Sequence, residues 1–188
     1  TPVSSAALEA MLPYFREYGY NASGLYEESR LARSGLEDAR CRVAATFGCS
    51  PEEIVFTGSG SEGANLALKG AAMAQRQRGR KVVAVSAIEH DCIMRAAKYL
   101  EVQHGFETRV IPVDRYGTVD LDILASIIDD RLGVVSIQYA NNEVGTVQPI
   151  AEIGRLLEKT DVLFHTDAVQ AAGALNLDVH KLGVDLLS

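Results

Sequence analysis

The first apolar residues along the chain, Leu8, Met11, Leu12 and Phe15, recur at helical spacing behind a Ser4 or Ser5 cap, with Pro13 expected to interrupt the run. Tyr18 to Gly24 reads as a loop from its turn residues. Residues 27–47 form a long amphipathic pattern with Leu36, Ala39, Val43 and Phe47 on one stripe, and Gly48 is placed to end it. From there short apolar runs alternate with helical ones. Strands are predicted at 54–57, 81–88, 108–113, 134–139 and 162–167, and helices at 61–77, 91–104, 120–130 and 150–158. Repeated β-α-β with nearly continuous apolar strands predicts an α/β fold, a mainly parallel sheet flanked by helices on both faces.

Composition narrows the class. At 188 residues, 47% apolar and 23% charged, the chain suits one globular domain or a piece of something larger. A net charge of −7 argues against a nucleic-acid partner, which needs clustered Lys and Arg. No apolar stretch approaches the roughly 18 residues a membrane helix needs, so no membrane partner is expected. Cys41, Cys49 and Cys92 lack metal-ligand or redox-pair spacing and read as buried free thiols, which makes a reducing cytoplasmic setting the expectation.

The chemistry starts at 56–65, where Ile54, Val55 and Phe56 give way to glycines and hydroxyls and then to a helical pattern. Unpaired N–H groups of a first helical turn, backed by the helix dipole, favour a phosphate, and Ser59 and Ser61 add hydroxyls. A glycine-rich turn with a serine cap explains the same residues equally well. Gly58, Gly60 and Gly63 also spell GxGxxG, which alone is a weak dinucleotide signal. In open α/β sheets ligands bind beyond the carboxyl ends of strands. That rule collects Glu89, His90 and Asp91, then Asn141, Asn142 and Glu143, then Asp167 and Gln170. Singly each has a structural explanation: a capping histidine, a turn asparagine, a strand-end carboxylate. Together they ask for a ligand with a phosphate, a cationic ring nitrogen for Asp167, a flat face for His90 and an oxygen acceptor for Asn142 and Gln170. Pyridoxal 5'-phosphate has all four.

The segments FTGSGSEGANLALKG (56–70), AIEHDCIMRAA (87–97), SIQYANNEVGTVQPI (136–150) and FHTDAVQAAG (164–173) resemble, in order and spacing, the large domain of cysteine desulfurases. These are class V aminotransferase-like, fold type I pyridoxal-phosphate enzymes. The resemblance implies that Gly60 and Ser61 hold the cofactor phosphate, His90 stacks on the ring and shuttles protons, Asp167 pairs with the ring nitrogen, Gln170 bonds the phenolic oxygen, and Asn142 sits by that oxygen or the substrate carboxylate. It implies a cysteine substrate whose sulfur passes to an enzyme cysteine as a persulfide, leaving alanine. A homodimer, a sulfur-acceptor protein and a role in iron–sulfur cluster assembly follow from the same likeness. It divides the chain into a leading helix and loop, 1–26, and a cofactor-binding large domain, 27–188.

Some positions depart from the family pattern. Asn21 to Tyr26 replaces its usual Asn-Pro-Ser-Ser-x-His, and Ser61 replaces a commoner threonine but keeps the hydroxyl. The family's Schiff-base lysine, its sulfur-accepting cysteine and its small domain are expected beyond Ser188, and Thr1-Pro2 reads as the tail of a motif that begins earlier. The chain is therefore expected to be incomplete at both ends and inactive alone. Lys181 and Lys69 read as solvated lysines, Cys92 as a packing residue and His165 as a core histidine. The alternatives are a selenocysteine lyase or other class V enzyme, a dinucleotide-binding oxidoreductase in which Glu89 holds a ribose, and a non-catalytic fragment.

Overall fold

The computed structural model describes residues 2–188; Thr1 lies outside the described residues. The chain divides into two compact units, one ending at Ile54 and the other running from Val55 to Ser188. In the first, helix α1 (Ser5–Arg16) starts where the Ser4 hydroxyl accepts the Ala7 N–H, and it runs through Pro13 instead of breaking there. Pro13 sits at the start of the last turn, and its carbonyl accepts the N–H groups of Glu17 and Tyr18. Helix α2 (Glu27–Phe47) ends at Gly48, whose φ of 71° is the left-handed conformation that glycine adopts without a Cβ penalty. The expected stripe is corrected: Ser29, Ala32 and Ala44 are buried, Leu36 is exposed, and Cys41, expected to be a buried thiol, is exposed on the same helix. A short 3-10 turn, Pro51–Glu53, follows, with the Glu53 carboxylate accepting the Ser50 N–H at 2.7 Å.

The second unit holds helices α3 (Gly60–Arg76), α4 (Asp91–His104), α5 (Leu121–Ser126), α6 (Ile150–Leu157) and α7 (Val179–Leu182). Its strands are β1 (Val82–Ser86), β2 (Glu107–Ile111), β3 (Leu132–Ser136), β4 (Leu163–Thr166) and β5 (Leu186–Leu187). They form one parallel sheet in the order β2-β1-β3-β4-β5. Alternation along each strand sends side chains to opposite faces. Val82 and Ala84 join Leu132, Phe164, Leu124, Ile150 and Ile153 in a core under α5, α6 and α7. Val83 and Val85 join Leu68, Ile93 and Leu100 in a second core under α3 and α4. Each fully buried side chain of this size contributes about 1.5–3 kcal/mol, so the two faces hold the sheet between helices as the periodicity predicts.

Two predicted elements depart from the sequence reading, and α7 and β5 were not among the elements predicted. The run at 54–57 is extended but not a strand, and Val55 and Phe56 are exposed. An apolar run becomes a strand only when another backbone lies alongside it, and the described sheet ends at β2 and β5. Helix α5 stops at Ser126, four residues before the predicted end, because Asp129 turns to accept the Arg131 and Leu132 N–H groups.

β1 lies between β2 and β3, so the chain leaves it towards one edge and later returns to its other side. At such a switch point the loops after the two central strands diverge and open a crevice. On the opposite side of β4, Gly154 of α6 meets the turn after α7 so closely that a Cβ there would run into the Leu182 carbonyl. Gly154→Ala is expected to lower unfolding free energy by about 1–3 kcal/mol, seen as a lower denaturant midpoint at unchanged slope. An unchanged midpoint would refute the close approach.

Candidate active site

The loops at the carboxyl ends of the strands, with the start of α3, enclose a cavity of about 230 Å³. Gly60, Ser61, His90, Asn142, Asp167 and Gln170, the six residues singled out in the sequence, all line it. A larger cavity, about 450 Å³, lies by the start of β4 among Arg155, Glu158, Lys181 and Asp185. Volume favours the second and chemistry the first. Ligands of open parallel sheets bind at the carboxyl ends, where here the polar groups converge.

Ser59 caps α3: its hydroxyl accepts the Glu62 N–H at 3.2 Å, while the Glu62 carboxylate accepts the Gly58 N–H at 2.7 Å. These bonds use the amides of Gly58 and Glu62 and leave those of Gly60 and Ser61 uncommitted among the described residues, at the positive end of the helix. A Cβ on Gly60 would stand 2.8 Å from the Val169 side chain, so glycine is what lets that wall of the cavity close. Among the described residues no strand precedes this loop, whereas a dinucleotide fingerprint follows one.

His90 is the N-cap of α4, and its Nδ1 accepts the Cys92 N–H at 3.2 Å. That bond fixes the tautomer with the proton on Nε2. The capping role weighed in the sequence and the cavity role therefore coexist. Cys92 Sγ lies 3.0 Å from the same Nδ1 and lines the cavity, so the packing assignment covers only part of its environment. Burial is the main cause that pushes the Cys92 thiol up, away from thiolate character.

Past β3, Asn141 organises the turn. Its Oδ1 accepts the Glu143 and Val144 N–H groups, each at 2.9 Å, and its Nδ2 donates to the Ile88 carbonyl at 2.8 Å. Asn142 Oδ1 accepts from Gln138 Nε2 at 3.4 Å, which leaves its amide N–H groups for the cavity. Gln138 was missed in the sequence because it sits inside the predicted strand 134–139. A polar residue interrupting that apolar run was the available signal.

Asp167 follows β4 and is only 4% exposed. Its Oδ1 accepts the Val169 N–H at 3.1 Å, and no lysine or arginine pairs with it among the described residues. Burial raises its carboxyl above the usual range, opposed by the Val169 N–H and by His90. A buried carboxylate with one hydrogen bond is a place for a cation. Behind it, His165 Nδ1 stands 2.8 Å from Ser136 Oγ and Nε2 stands 3.0 Å from Ser188 Oγ, and burial pushes the ring down to about 4. It is the core histidine the sequence suggested. Lys181 pairs with Asp178 at the surface, and Lys69 lies 4.3 Å over the Tyr99 ring, away from the cavity.

The family model described as aminotransferase class V matches residues 1–188. The chain belongs to that family. It is 44% identical over its full length to a cysteine desulfurase IscS of Methanosarcina thermophila, covering 46% of that protein. It also superposes on a solved NifS-like protein with a TM-score of 0.94 at 36% identity, covering all of this chain and 51% of the other. A structure titled SspA in complex with cysteine matches at a TM-score of 0.93 and 36% identity, again over the whole chain and 54% of that one. The chain thus spans about half the length of the relatives it matches. Members of the family depend on pyridoxal phosphate. The donor set here fits that group: anion-binding amides and a hydroxyl at α3, a flat imidazole, amide donors and a buried carboxylate without a counter-ion.

His165 supplies a check on this wall. Its folded-state affinity for a proton is below the unfolded value near 6.5, so its contribution to stability is present above pH 6.5 and lost as pH falls towards 4. Glu89, pushed up to about 8, acts with the opposite sign over the same range, so a paired variant isolates His165. Relative to His165→Gln, the wild-type protein is expected to lose roughly 2–3 kcal/mol more between pH 6.5 and 4 in denaturant unfolding. Parallel pH profiles would show that the ring is not held neutral.

Proposed function

We propose that this chain forms the cofactor-binding part of a pyridoxal-phosphate-dependent cysteine desulfurase. The observation that carries the reading is the pairing, across one small cavity, of an anion-binding helix start with a buried carboxylate that lacks a cation. The free amides of Gly60 and Ser61 and the Ser61 hydroxyl hold the phosphate. His90 lies against the ring, held by its cap on α4, and Nε2 is the atom from which it gives or takes a proton. Asp167 keeps a proton on the ring nitrogen, since loss of that proton would leave its own charge buried and unpaired. Asn142 and Gln170 donate to the phenolic oxygen. When bound, the cofactor supplies an electron sink that acidifies the α-carbon of an amino acid. Cysteine is the proposed substrate, in keeping with the desulfurase relatives and with the neighbour solved with cysteine. A homodimer and a protein that accepts the sulfur, serving iron–sulfur cluster assembly in the cytoplasm, complete the proposal.

Titration of the purified protein with pyridoxal phosphate, followed by visible absorbance, tests the assignment. Asp167→Ala removes a charge-assisted bond of about 1.5–3 kcal/mol and is expected to weaken binding by roughly 10- to 100-fold. Ser61→Ala removes one neutral donor and is expected to weaken it about 2- to 10-fold. Saturable binding that ignores Asp167→Ala, or no binding at all, would sink the proposal.

A further inference from the structure

Glu89 is half-buried taken whole, but its carboxyl end is sealed. Oε1 accepts two bonds, from Ser86 Oγ at 2.5 Å and from the Gln138 N–H at 2.7 Å. Oε2 is shut off from solvent and has no hydrogen-bond partner among the described residues. The side chain therefore bridges the end of β1 to the loop after β3. Asn141 braces the same gap by donating to the Ile88 carbonyl at 2.8 Å and to Gln138 Oε1 at 3.2 Å. Gln138 in turn holds Asn142 at the cavity. Among the described residues no element packed around Glu89 offers a counter-charge: β1 contributes Ser86, the loop after β3 contributes Gln138, and the loop after β4 contributes Asp167, a charge of the same sign. Of its neighbours at the start of α4, His90 bonds to Cys92 and Asp91 is paired with Arg95 at the surface.

We propose that Glu89 is a positioning residue, an uncharged carboxylic acid that ties the two central strand ends together, sets Asn142 through Gln138, and leaves Asp167 as the charged carboxylate of the cavity. The tie itself is independent of any ligand; its consequence for the coenzyme rests on the pyridoxal-phosphate reading. An ionised Glu89 would place a second unpaired negative charge beside Asp167 in a sealed site, an arrangement whose cost is relieved by protonating one of the two. Glu89 is the member with no access to solvent or ligand, and burial together with the Asp167 charge pushes it up to about 8. Asp167, facing the cavity, keeps the role that a cationic ring nitrogen needs.

The test compares Glu89→Gln, which copies the uncharged acid in shape and keeps the accepting oxygen, with Glu89→Ala, which cuts the tie. Without ligand, a folded-state pKa above the unfolded value means that wild-type stability falls as pH rises towards about 8. Between pH 6.5 and 8, above the range where His165 acts, the thermal midpoint of the wild type is expected to drop at least about 3 °C more than that of Glu89→Gln. A protonated-carboxyl infrared band present in the wild type at pH 7 and missing from the variant reports the same proton directly. With pyridoxal phosphate at pH 7, Glu89→Gln is expected to stay within about twofold of wild-type affinity while Glu89→Ala loses at least about fivefold. Equal losses in the two variants, or parallel pH profiles with no carboxyl band, would overturn the proposal. If Glu89→Ala does not fold, the glutamine variant decides alone through its pH profile and affinity. If no protein binds the coenzyme, the cofactor reading fails, and the pH profile and infrared band still decide whether Glu89 carries the proton.

Discussion

The parallel pairing of β1 with β3 is the constraint on which the rest of this structure depends. Register places Ser86 and Ser136 near the same end of the sheet, so the loops that follow must emerge side by side. Because the chain runs from β1 to one edge and returns to its other flank, these loops part and leave a crevice. The helix layer formed by α3 and α4 then serves that crevice. α4 begins at it with His90 as its cap, and α3, packed on the same face, presents its free amides there.

The polar groups of the cavity are held by different means, which gives each a distinct character. His90 is oriented by a backbone N–H, so its tautomer is set before any ligand arrives. Asn142 is oriented by Gln138, and Gln138 by Glu89 and Asn141, a relay of side chains between two loops. Asp167 is held by burial and a single N–H. Its electrostatic debt is left open, and an open charge in a low-dielectric wall is what selects a cation. What the cavity offers a ligand is what the fold leaves unsatisfied.

Much of this was legible in the residues. The helix at 91–104 and its cap came from period and chemistry, as did the strands around Val83, Val135 and Phe164 and the convergence of His90, Asn142, Asp167 and Gln170. Gln138 and Glu89 were harder to read. Gln138 hides in an apolar run, and Glu89 resembles an ordinary strand-end acid until its neighbours show that no cation reaches it. The run at 54–57 has the composition of a strand, yet pairing depends on a second backbone that local composition does not encode. Cys92 was assigned to packing from the family resemblance, and only the α4 cap geometry brings its sulfur to His90.

Periodicity, caps and strand-end polar residues are local properties, and they were enough to determine the α/β class and most of the element order, while the family came from the resemblance of four motif segments. Strand order, the register of β1 on β3, the protonation demands on Glu89, Asp167 and His165, and which amides remain free are settled by groups distant in the chain. Those quantities depend on burial and on the separation of charges, and neither exists until the chain has folded.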